Sequence, residues 1–389
     1  MSGKLAGMIK LFLPLSAEKA RMMTLLRKWL ADKDCNEIEK LLKEGSVTVR
    51  VQRFSLAFTS DEMPIVQCLV HEESLRRYID EKNDEIKRLY YASLKKEFSS
   101  RAIEVIPGMI GPGIEGMDTV KMAAALQLFS DKVHILLLGD PGTGKTEILR
   151  SLSELSPISS FGLGSGTSGA GLSVTVSGKE VLPGLMPMAD GGICAIDELN
   201  LMEDKDRASM YNAMEKGFVT YDKGGRHFRF DARIRVIATA NPKGDRFRGE
   251  TVAQLKKQLP FDPALLSRFH LVFLLRKPSS DEFRRIAESI VSKDKRVIPD
   301  SDREFIKEYV RQAREIDVVV PKGLEKEIVD FVSGLREKED SHLIEITPRL
   351  VKGFVNLAKA SARMSLSDTL RISDVKLVKD IVEKSLSYQ

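Results

Sequence analysis

A glycine-rich segment at residues 139–146 places the strongest constraint on the fold of this chain. It reads Gly-Asp-Pro-Gly-Thr-Gly-Lys-Thr and fits the pattern G-x-x-x-x-G-K-[ST] in full. An apolar run, residues 135–138, precedes it, and a helix-forming stretch, residues 147–155, follows it. Strand, glycine-rich turn and helix in that order form the phosphate-binding unit of many α/β proteins. The segment therefore predicts a buried strand that leads into a turn facing a helix N-terminus.

The residues of this segment have distinct expected roles in binding ATP and Mg²⁺. The loop whose backbone N–H groups would surround the phosphates consists of Asp140, Pro141, Gly142, Thr143 and Gly144. Lys145 is expected to reach the β and γ phosphates. The hydroxyl of Thr146 is expected to bind Mg²⁺.

Further short apolar runs follow the pattern of a buried parallel sheet. They lie at residues 133–138, 193–196, 234–238 and 271–275, separated by helical segments. We expect an α/β fold with a parallel P-loop sheet covered by helices on both faces, a C-terminal helical lid and a small α+β N-terminal domain. The expected boundaries are 1–100 for the N-terminal domain, 101–116 for a Gly/Pro linker, 117–277 for the core and 278–389 for the lid. Within the N-terminal part, helices are predicted at 17–42 and 81–98, and strands at 47–58.

Two adjacent carboxylates end the second apolar run. Asp197 is placed to hold the metal, directly or through water, and Glu198 can orient or deprotonate an attacking water. This pair is a weak signal alone and a strong one downstream of a complete phosphate-binding loop.

Three other residues are candidate site residues, and each has more than one possible role. Asn241, after the third run, could position the water or simply form an Asn-Pro turn. Arg268 could pair with a carboxylate of its own subunit or reach the ATP of a neighbour. Arg349 could contact phosphates or cap a helical region in solvent.

Composition narrows the class of protein. No apolar run approaches the roughly 20 residues of a membrane-spanning helix, so no membrane association is expected. The three cysteines, Cys35, Cys68 and Cys194, form no C-x-x-C pair, so neither a disulfide framework nor a zinc site is expected. A net charge of +5 permits nucleic-acid binding without demonstrating it. We expect a cytoplasmic, nucleoid-associated location, or a nuclear one in a eukaryote, and no secretion.

The order of these elements resembles the AAA+ core, and the sequence between them resembles the motor domain of minichromosome maintenance (MCM) DNA helicases. The resemblance extends over roughly residues 103–382. It is carried by the segments 113–121, 125–129, 164–172, 189–198, 213–215 and 265–273, and by Asp206 and Arg207.

The resemblance implies an ATP-dependent DNA helicase that acts in replication. Family motifs carry over residue by residue, with Walker A at Lys145 and Thr146, Walker B at Asp197 and Glu198, sensor 1 at Asn241, the arginine finger at Arg268 and sensor 2 at Arg349. In the family the last two come from the neighbouring subunit, so self-association as a ring, usually a hexamer, is implied.

DNA binding is expected from two insertions in the sequence. Residues 218–236 predict a hairpin that matches the family's pre-sensor-1 hairpin, with Lys223 at its tip as the inferred contact and Arg226 and His227 as secondary candidates. Contacts of this kind go to phosphates of single-stranded or forked DNA and carry no sequence information. A solvated turn lysine is the alternative. Residues 172–188 match the helix-2 insert of the family.

The chain departs from a full-length family member in two expected ways. About a hundred residues precede the linker, too few for the usual N-terminal collar, and no winged-helix domain is expected after 373–387. The N-terminal domain could bind DNA or dock a replication partner. Rival readings are a MoxR-like or chelatase-like remodelling ATPase acting on proteins, and a ring subunit that binds ATP without turnover.

Overall fold

The computed structural model describes residues 53–58, 64–69, 95–177, 180–223, 226–244, 246–249, 251–277, 280, 283–284, 286–288, 298–338 and 342–386. At 53–58, 64–69, 175–177, 180, 222–223 and 226 the description covers the backbone alone. The chain divides into two compact units, Met1–Arg101 and Ala102–Gln389.

In the first unit, two strands form an antiparallel pair. Strand β1 (Arg53–Phe58) pairs with β2 (Pro64–Leu69), with Arg53 opposite Leu69. The predicted strand region 47–58 contains β1, whereas β2 was not predicted. Residues 95–99 are helical, in agreement with the end of the helix predicted at 81–98. The predicted helix at 17–42 and the segments 47–52 and 81–94 lie outside the described residues.

A helix occupies much of the segment that the sequence suggested to be a linker. Helix α1 (Ala102–Gly108) begins the second unit and includes Pro107. Ile106 and Ile110 are completely buried, and Met109 nearly so. The Gly and Pro residues of 107–113 suggested an open linker, but the apolar side chains between them pack into the core instead.

The remainder of the second unit begins with helix α2 and an α/β core. In chain order, the elements are α2 (Asp118–Phe129), β3 (Ile135–Gly139), α3 (Lys145–Leu155), β4 (Ser159–Leu163), α4 (Gly169–Leu172), β5 (Val174–Ser177), β6 (Glu180–Pro183), α5 (Leu185–Met188), β7 (Ile193–Asp197), α6 (Asp204–Lys216), β8 (Phe218–Lys223), β9 (Arg226–Asp231), β10 (Arg235–Ala240), α7 (Val252–Lys256), α8 (Pro263–Leu266) and β11 (Leu271–Leu275).

Five of these strands form one parallel sheet in the order β11-β3-β10-β7-β4. Every residue of β3, β7 and β10 is buried, as expected for strands covered on both faces. The four apolar runs correspond to β3, β7, β10 and β11. Edge strand β4 was missed because its sequence, SSFGL, alternates between buried and exposed positions and has no continuous apolar run.

Two antiparallel hairpins interrupt the core at the predicted places. Strands β5 and β6 form the first, and β8 and β9 form the second. In β9 the predicted alternation is observed, with Phe228 and Phe230 half-buried and Arg229 exposed. The guanidinium of Arg229 lies 4.0 Å from the ring centroid of Phe218 at the base of the second hairpin.

The described residues after the sheet are mostly helical, as predicted. The helices are α9 (Asp300–Ala313), α10 (Lys322–Glu337), α11 (Pro348–Met364) and α12 (Ile372–Leu386). Arg363 of α11 joins this lid to the core, because its guanidinium donates to the Asp131 carboxylate at 2.8 Å. In the part of the chain that the structure describes, no helix has the length and apolarity to cross a membrane.

A buried histidine pair joins the starting ends of the sheet strands. The Val236 N–H donates to Nδ1 of His134 at 3.0 Å, and Nε2 of His134 lies 3.1 Å from the Met214 carbonyl. The backbone N–H of His134 donates to Nδ1 of His270 at 3.0 Å. Both Nδ1 atoms therefore act as acceptors, which requires neutral imidazoles. Burial is the main reason that the pKa of His134 lies well below its usual range and that of His270 falls to about 3.

This pair predicts a specific loss of stability in acid. The unfolded histidines bind protons below about pH 6.5, whereas the folded ones stay neutral, so stability is present above that pH and falls as the pH drops toward the folded pKa values. Each histidine should add a slope of about 1.4 kcal/mol per pH unit to the free energy of unfolding below about pH 6. Urea unfolding of the chain and of His270→Gln between about pH 7 and about pH 5 measures the difference. Equal slopes for the two proteins would contradict the assignment.

Candidate functional site

The glycine-rich loop between β3 and α3 has the backbone geometry of a phosphate cradle. Gly142 and Gly144 both adopt positive φ, 81° and 84°, which residues with a Cβ rarely tolerate. Helix α3 begins directly after Gly144, at Lys145, so its first N–H groups and the positive end of its dipole face the loop. The sequence pattern thus produces the predicted local structure.

Lys145, the first residue of helix α3, lies beside this loop and has a lowered pKa. Its ammonium donates to the carbonyls of Gly139 and Asp140, each at 2.8 Å. Burial lowers the pKa of Lys145 to about 8, and the carboxylates of Asp140, Asp197 and Glu198 oppose that shift. The side chain is therefore a cation near neutral pH, held beside the loop by weak acceptors that an anionic phosphate can replace.

The Walker B carboxylate lies beside the Walker A hydroxyl. Thr146 donates to Oδ2 of Asp197 at 2.9 Å. The other carboxylate oxygen, Oδ1, accepts from the hydroxyl of Thr239 at 2.5 Å. Parallel pairing explains this contact, because Ala238 of β10 is opposite Ile196 of β7, which places Thr239 next to Asp197. Asp197 is thereby fixed from two sides.

Glu198 and Asn241 follow the ends of the neighbouring strands β7 and β10. Glu198 adopts a left-handed backbone conformation, φ 53° and ψ 45°, which is uncommon for a non-glycine residue and is typical of functional sites. Its N–H donates to the Thr239 hydroxyl at 2.8 Å. The N–H of Asn241 donates to Oδ1 of Asn200 at 2.9 Å. Asn241 therefore lies at the same edge of the sheet as the loop and the carboxylates.

Asp140 connects the loop to two later segments of the chain. Its carboxylate, which is almost completely buried, accepts from the N–H of Phe247 at 2.8 Å and from the N–H of Lys277 at 3.2 Å. Phe247 follows Asn241, and Lys277 leads from β11 toward the lid. Asp140 thus fixes the position of the loop relative to both segments.

The residues at this edge suit a magnesium nucleotide. The hydroxyl of Thr146 and the carboxylate of Asp197 are hard oxygen donors, and Mg²⁺ is commonly held by one or two such groups together with phosphate oxygens. Among the residues that the structure describes, no group of three or more His, Cys, Asp or Glu side chains is arranged to hold a metal ion. The expectation that zinc is absent stays a prediction.

The two candidate arginines lie together against helix α6. Arg268 forms an ion pair with Oε2 of Glu215 at 3.3 Å, so the alternative of a carboxylate partner in the same subunit is realised. Arg349 lies 3.9 Å from the same oxygen and donates to the Ser267 carbonyl at 2.8 Å. The ring of Tyr211 lies under the Arg268 guanidinium at 4.2 Å.

This arginine cluster lies at the opposite end of the sheet from the nucleotide loop. In the parallel pair of β11 and β3, Leu271 is opposite Ile135 and Leu275 is opposite Gly139. Arg268 precedes the start of β11, whereas the loop follows the end of β3. The strand length of about four residue steps, roughly 13 Å, separates the two ends. Within the described residues, neither arginine forms an ion pair or a hydrogen bond with residues 139–146.

The hairpin of β8 and β9 has its tip at the predicted position. Lys223 is opposite Arg226, and the residues 224 and 225 form the connection. His227 is exposed. Only the backbone is described at Lys223 and Arg226, so their contact with DNA stays a prediction.

Three polar groups that organise the site were not predicted from the sequence. Thr239 and Asn200 hold the Walker B strand and the Asn241 backbone, and Glu215 receives both arginines. Thr239 was detectable in principle, because a hydroxyl in a buried apolar strand is unusual. The roles of Asn200 and Glu215 depend on contacts between distant segments, and no local pattern signals them.

The fold and the site together define a P-loop nucleotide-binding domain of the AAA+ class. The phosphate loop follows a central strand, the acidic pair follows a second strand, and Asn241 follows the strand between these two.

Comparison with known proteins identifies the family within that class. The model of the MCM P-loop domain matches residues 92–294, and that of the MCM AAA-lid domain matches residues 304–386. The minichromosome maintenance protein MCM of Saccharolobus solfataricus is 33% identical over 296 residues, which are 69% of this chain and 42% of that protein. The DNA replication licensing factor MCM4 of Arabidopsis thaliana is 32% identical over 339 residues, 78% of this chain and 39% of that protein. This chain belongs to the MCM family, and it spans about two fifths of the length of these relatives.

The hydroxyl of Thr239 provides a test of the site geometry. We expect Thr239→Val, which keeps the shape of the side chain, to release Oδ1 of Asp197 and to raise the Mg²⁺ concentration needed for nucleotide binding about 10- to 100-fold. Titration of a fluorescent ATP analogue at several Mg²⁺ concentrations measures this shift. Thr239→Ser keeps the hydroxyl and is the matched control. An unchanged Mg²⁺ requirement in the valine variant would show that Asp197 does not depend on this contact.

Proposed function

We propose that this chain is the ATP-hydrolysing motor of a ring that moves along DNA during replication. Three observations support the proposal: the loop and carboxylates at one edge of the sheet, the arginine cluster at the opposite end, and membership of a family whose named relatives include DNA replication licensing factors. Each contributes a different part of the mechanism.

For hydrolysis, the residues at the nucleotide edge have separable roles. The loop N–H groups and Lys145 bind the phosphates, and Glu198 orients the attacking water and accepts its proton at a carboxylate oxygen. The Asn241 amide helps to orient the same water. Mg²⁺, held by Thr146 and Asp197, would neutralise charge on the phosphate oxygens.

Within the described residues, neither Arg268 nor Arg349 bonds to the nucleotide loop of its own protomer. Arg268 and Arg349 pair with Glu215 at the far end of the sheet, and the length of β3 and β11 separates them from their own loop. In a ring, each protomer presents this end to the loop of its neighbour, so we propose that both arginines act on the neighbour's ATP. This arrangement couples hydrolysis to movement between subunits.

The second hairpin is the proposed contact with DNA. A two-residue connection places Lys223 at the tip, and a flexible ammonium suits non-specific contact with phosphates. The first hairpin, β5 and β6, is the second candidate element. The rival role as a MoxR-like or chelatase-like remodelling ATPase is less favoured, because the family models that match are those of MCM proteins.

Shared active sites predict recovery of activity when two inactive variants are mixed. Lys145→Ala should abolish hydrolysis, and Arg268→Ala should lower it by about 10³-fold or more. In a ring mixed at random from equal amounts, about a quarter of the interfaces pair an intact loop with intact arginines, so about a quarter of the normal ATPase rate should return. Release of phosphate is the measurement. Mixtures no more active than the separate variants would refute the shared site.

The hairpin predicts that DNA accelerates hydrolysis. We expect single-stranded DNA to stimulate the ATPase and Lys223→Ala to bring the ratio of rates with and without DNA close to one, with loss of forked-DNA unwinding. The salt dependence of DNA binding should become shallower by about 0.7 in log–log slope for each phosphate that the variant no longer neutralises. Lys205→Ala, which removes the same charge from an exposed position on α6, is the control. Absence of both stimulation and unwinding in the unmodified chain would favour the remodelling role.

A further inference from the structure

Helix α6 presents two side chains to Arg268 from one face. Tyr211 and Glu215 are four residues apart, which places them one above the other on the helix. The ring of Tyr211 is 4.2 Å from the Arg268 Cζ atom, and the Glu215 carboxylate is 3.3 Å from its terminal nitrogen. A second guanidinium N–H donates to the carbonyl of Ala264. Arg268 is therefore held by a cation–π contact, an ion pair and a backbone acceptor, which together restrict its rotamers.

Glu215 also holds the second arginine. Arg349 approaches the same oxygen at 3.9 Å, and its other terminal nitrogen donates to the carbonyl of Ser267, the residue next to Arg268. One carboxylate and one adjacent carbonyl thus keep the two guanidinium groups side by side.

The cluster carries more positive than negative charge. Lys132 donates to the backbone carbonyl of Glu215, so a third cation lies close to the Glu215 carboxylate. Burial and the nearby Arg349 lower the pKa of Lys132. The Nε atom of Arg268 is buried and has no hydrogen-bond partner in the described structure. An anionic acceptor brought to this cluster would relieve the repulsion between the cations.

The same helix leads directly into the second hairpin. Helix α6 ends at Lys216, Gly217 makes a left-handed turn with φ 78°, and β8 begins at Phe218. Glu215 is therefore less than one helical turn from the base of the hairpin. A displacement of the hairpin that moves the last turn of α6 would also move the groups that hold the arginines.

We propose that Tyr211 and Glu215 form a clamp that positions Arg268 and Arg349 for the triphosphate of the neighbouring protomer and links them to the hairpin. The two clamp residues are positioning residues, since neither contacts the nucleotide. This inference rests on the proposed function, because it needs the arginines to act in trans. The alternative explanation is that the cluster only stabilises the protomer and has no part in hydrolysis.

The test is Glu215→Gln, which keeps the size of the side chain and removes its charge. We expect kcat for ATP to fall about 10-fold while KM changes less than about twofold, because the arginines act on the transition state and not on nucleotide binding. Glu203→Gln, the same substitution at an exposed position next to α6, is the matched control and should keep the normal kcat. Thermal unfolding of both variants shows whether the protein is still folded.

Mixing with Lys145→Ala distinguishes the clamp from a structural role. The Lys145→Ala protomers supply intact arginines, and the Glu215→Gln protomers supply intact loops, so mixed rings should regain activity as Arg268→Ala mixtures do. Recovery with Arg268→Ala but none with Glu215→Gln would overturn the clamp and leave the proposed function standing. No recovery in either mixture would overturn the shared site, and the clamp with it. An unchanged kcat in Glu215→Gln would also overturn the clamp.

Tyr211 provides a second, independent variant. Tyr211→Phe keeps the ring face and should retain most of kcat, whereas Tyr211→Leu removes it and should lower kcat several-fold with little change in KM. In Tyr211→Leu and in Glu215→Gln, stimulation by single-stranded DNA should also fall. If Tyr211→Leu and Tyr211→Phe have the same kcat and DNA stimulation, the aromatic contact has no positioning role and the proposal fails in this part.

Discussion

Parallel pairing of β3, β10 and β7 is the constraint on which the rest of the site depends. Because the three strands run in one direction, their carboxyl ends meet at one edge and bring together groups that are distant in sequence. Lys145, Asp197 and Asn241 are neighbours for this reason alone. The hydroxyl of Thr239 then fixes Asp197 and the Glu198 backbone, so the polar groups at this edge are held by hydrogen bonds rather than by side-chain packing.

The residues at the opposite end of the same sheet are held by different interactions. The neutral His134 and His270 accept hydrogen bonds from backbone N–H groups there. The buried pair thereby joins the segments at this base of the sheet. The arginine cluster lies close to this base, since Arg349 and Lys132 contribute to the low pKa of His270. The phosphate-binding groups lie at one end of this sheet, and Arg268 and Arg349 lie at the other. The proposed ring is the simplest assembly that resolves this separation.

Local sequence patterns predicted the parts of this structure that depend on local chemistry. The loop at 139–146, four of the five sheet strands and both hairpins have continuous signals of periodicity, glycine placement or apolar content. Strand β4 and the helix at 102–108 lack such signals, because their conformation is set by packing against the rest of the core. The contacts of Glu215 with Arg268 and Arg349 join three separate segments, so no spacing rule could have found them.

Contact between Arg268 and α6 does not by itself couple the nucleotide to the hairpin. Coupling also requires an element with two alternative arrangements. Arg268 offers such alternatives. Its guanidinium is held by Glu215 within the single protomer, and in the proposed ring it would bind a phosphate of the neighbouring ATP in addition to Glu215. Gain and loss of that phosphate would change the charge that the last turn of α6 experiences, and that turn leads into β8 within three residues. Nucleotide chemistry in one protomer would thus bias the hairpin of the next through a single side chain.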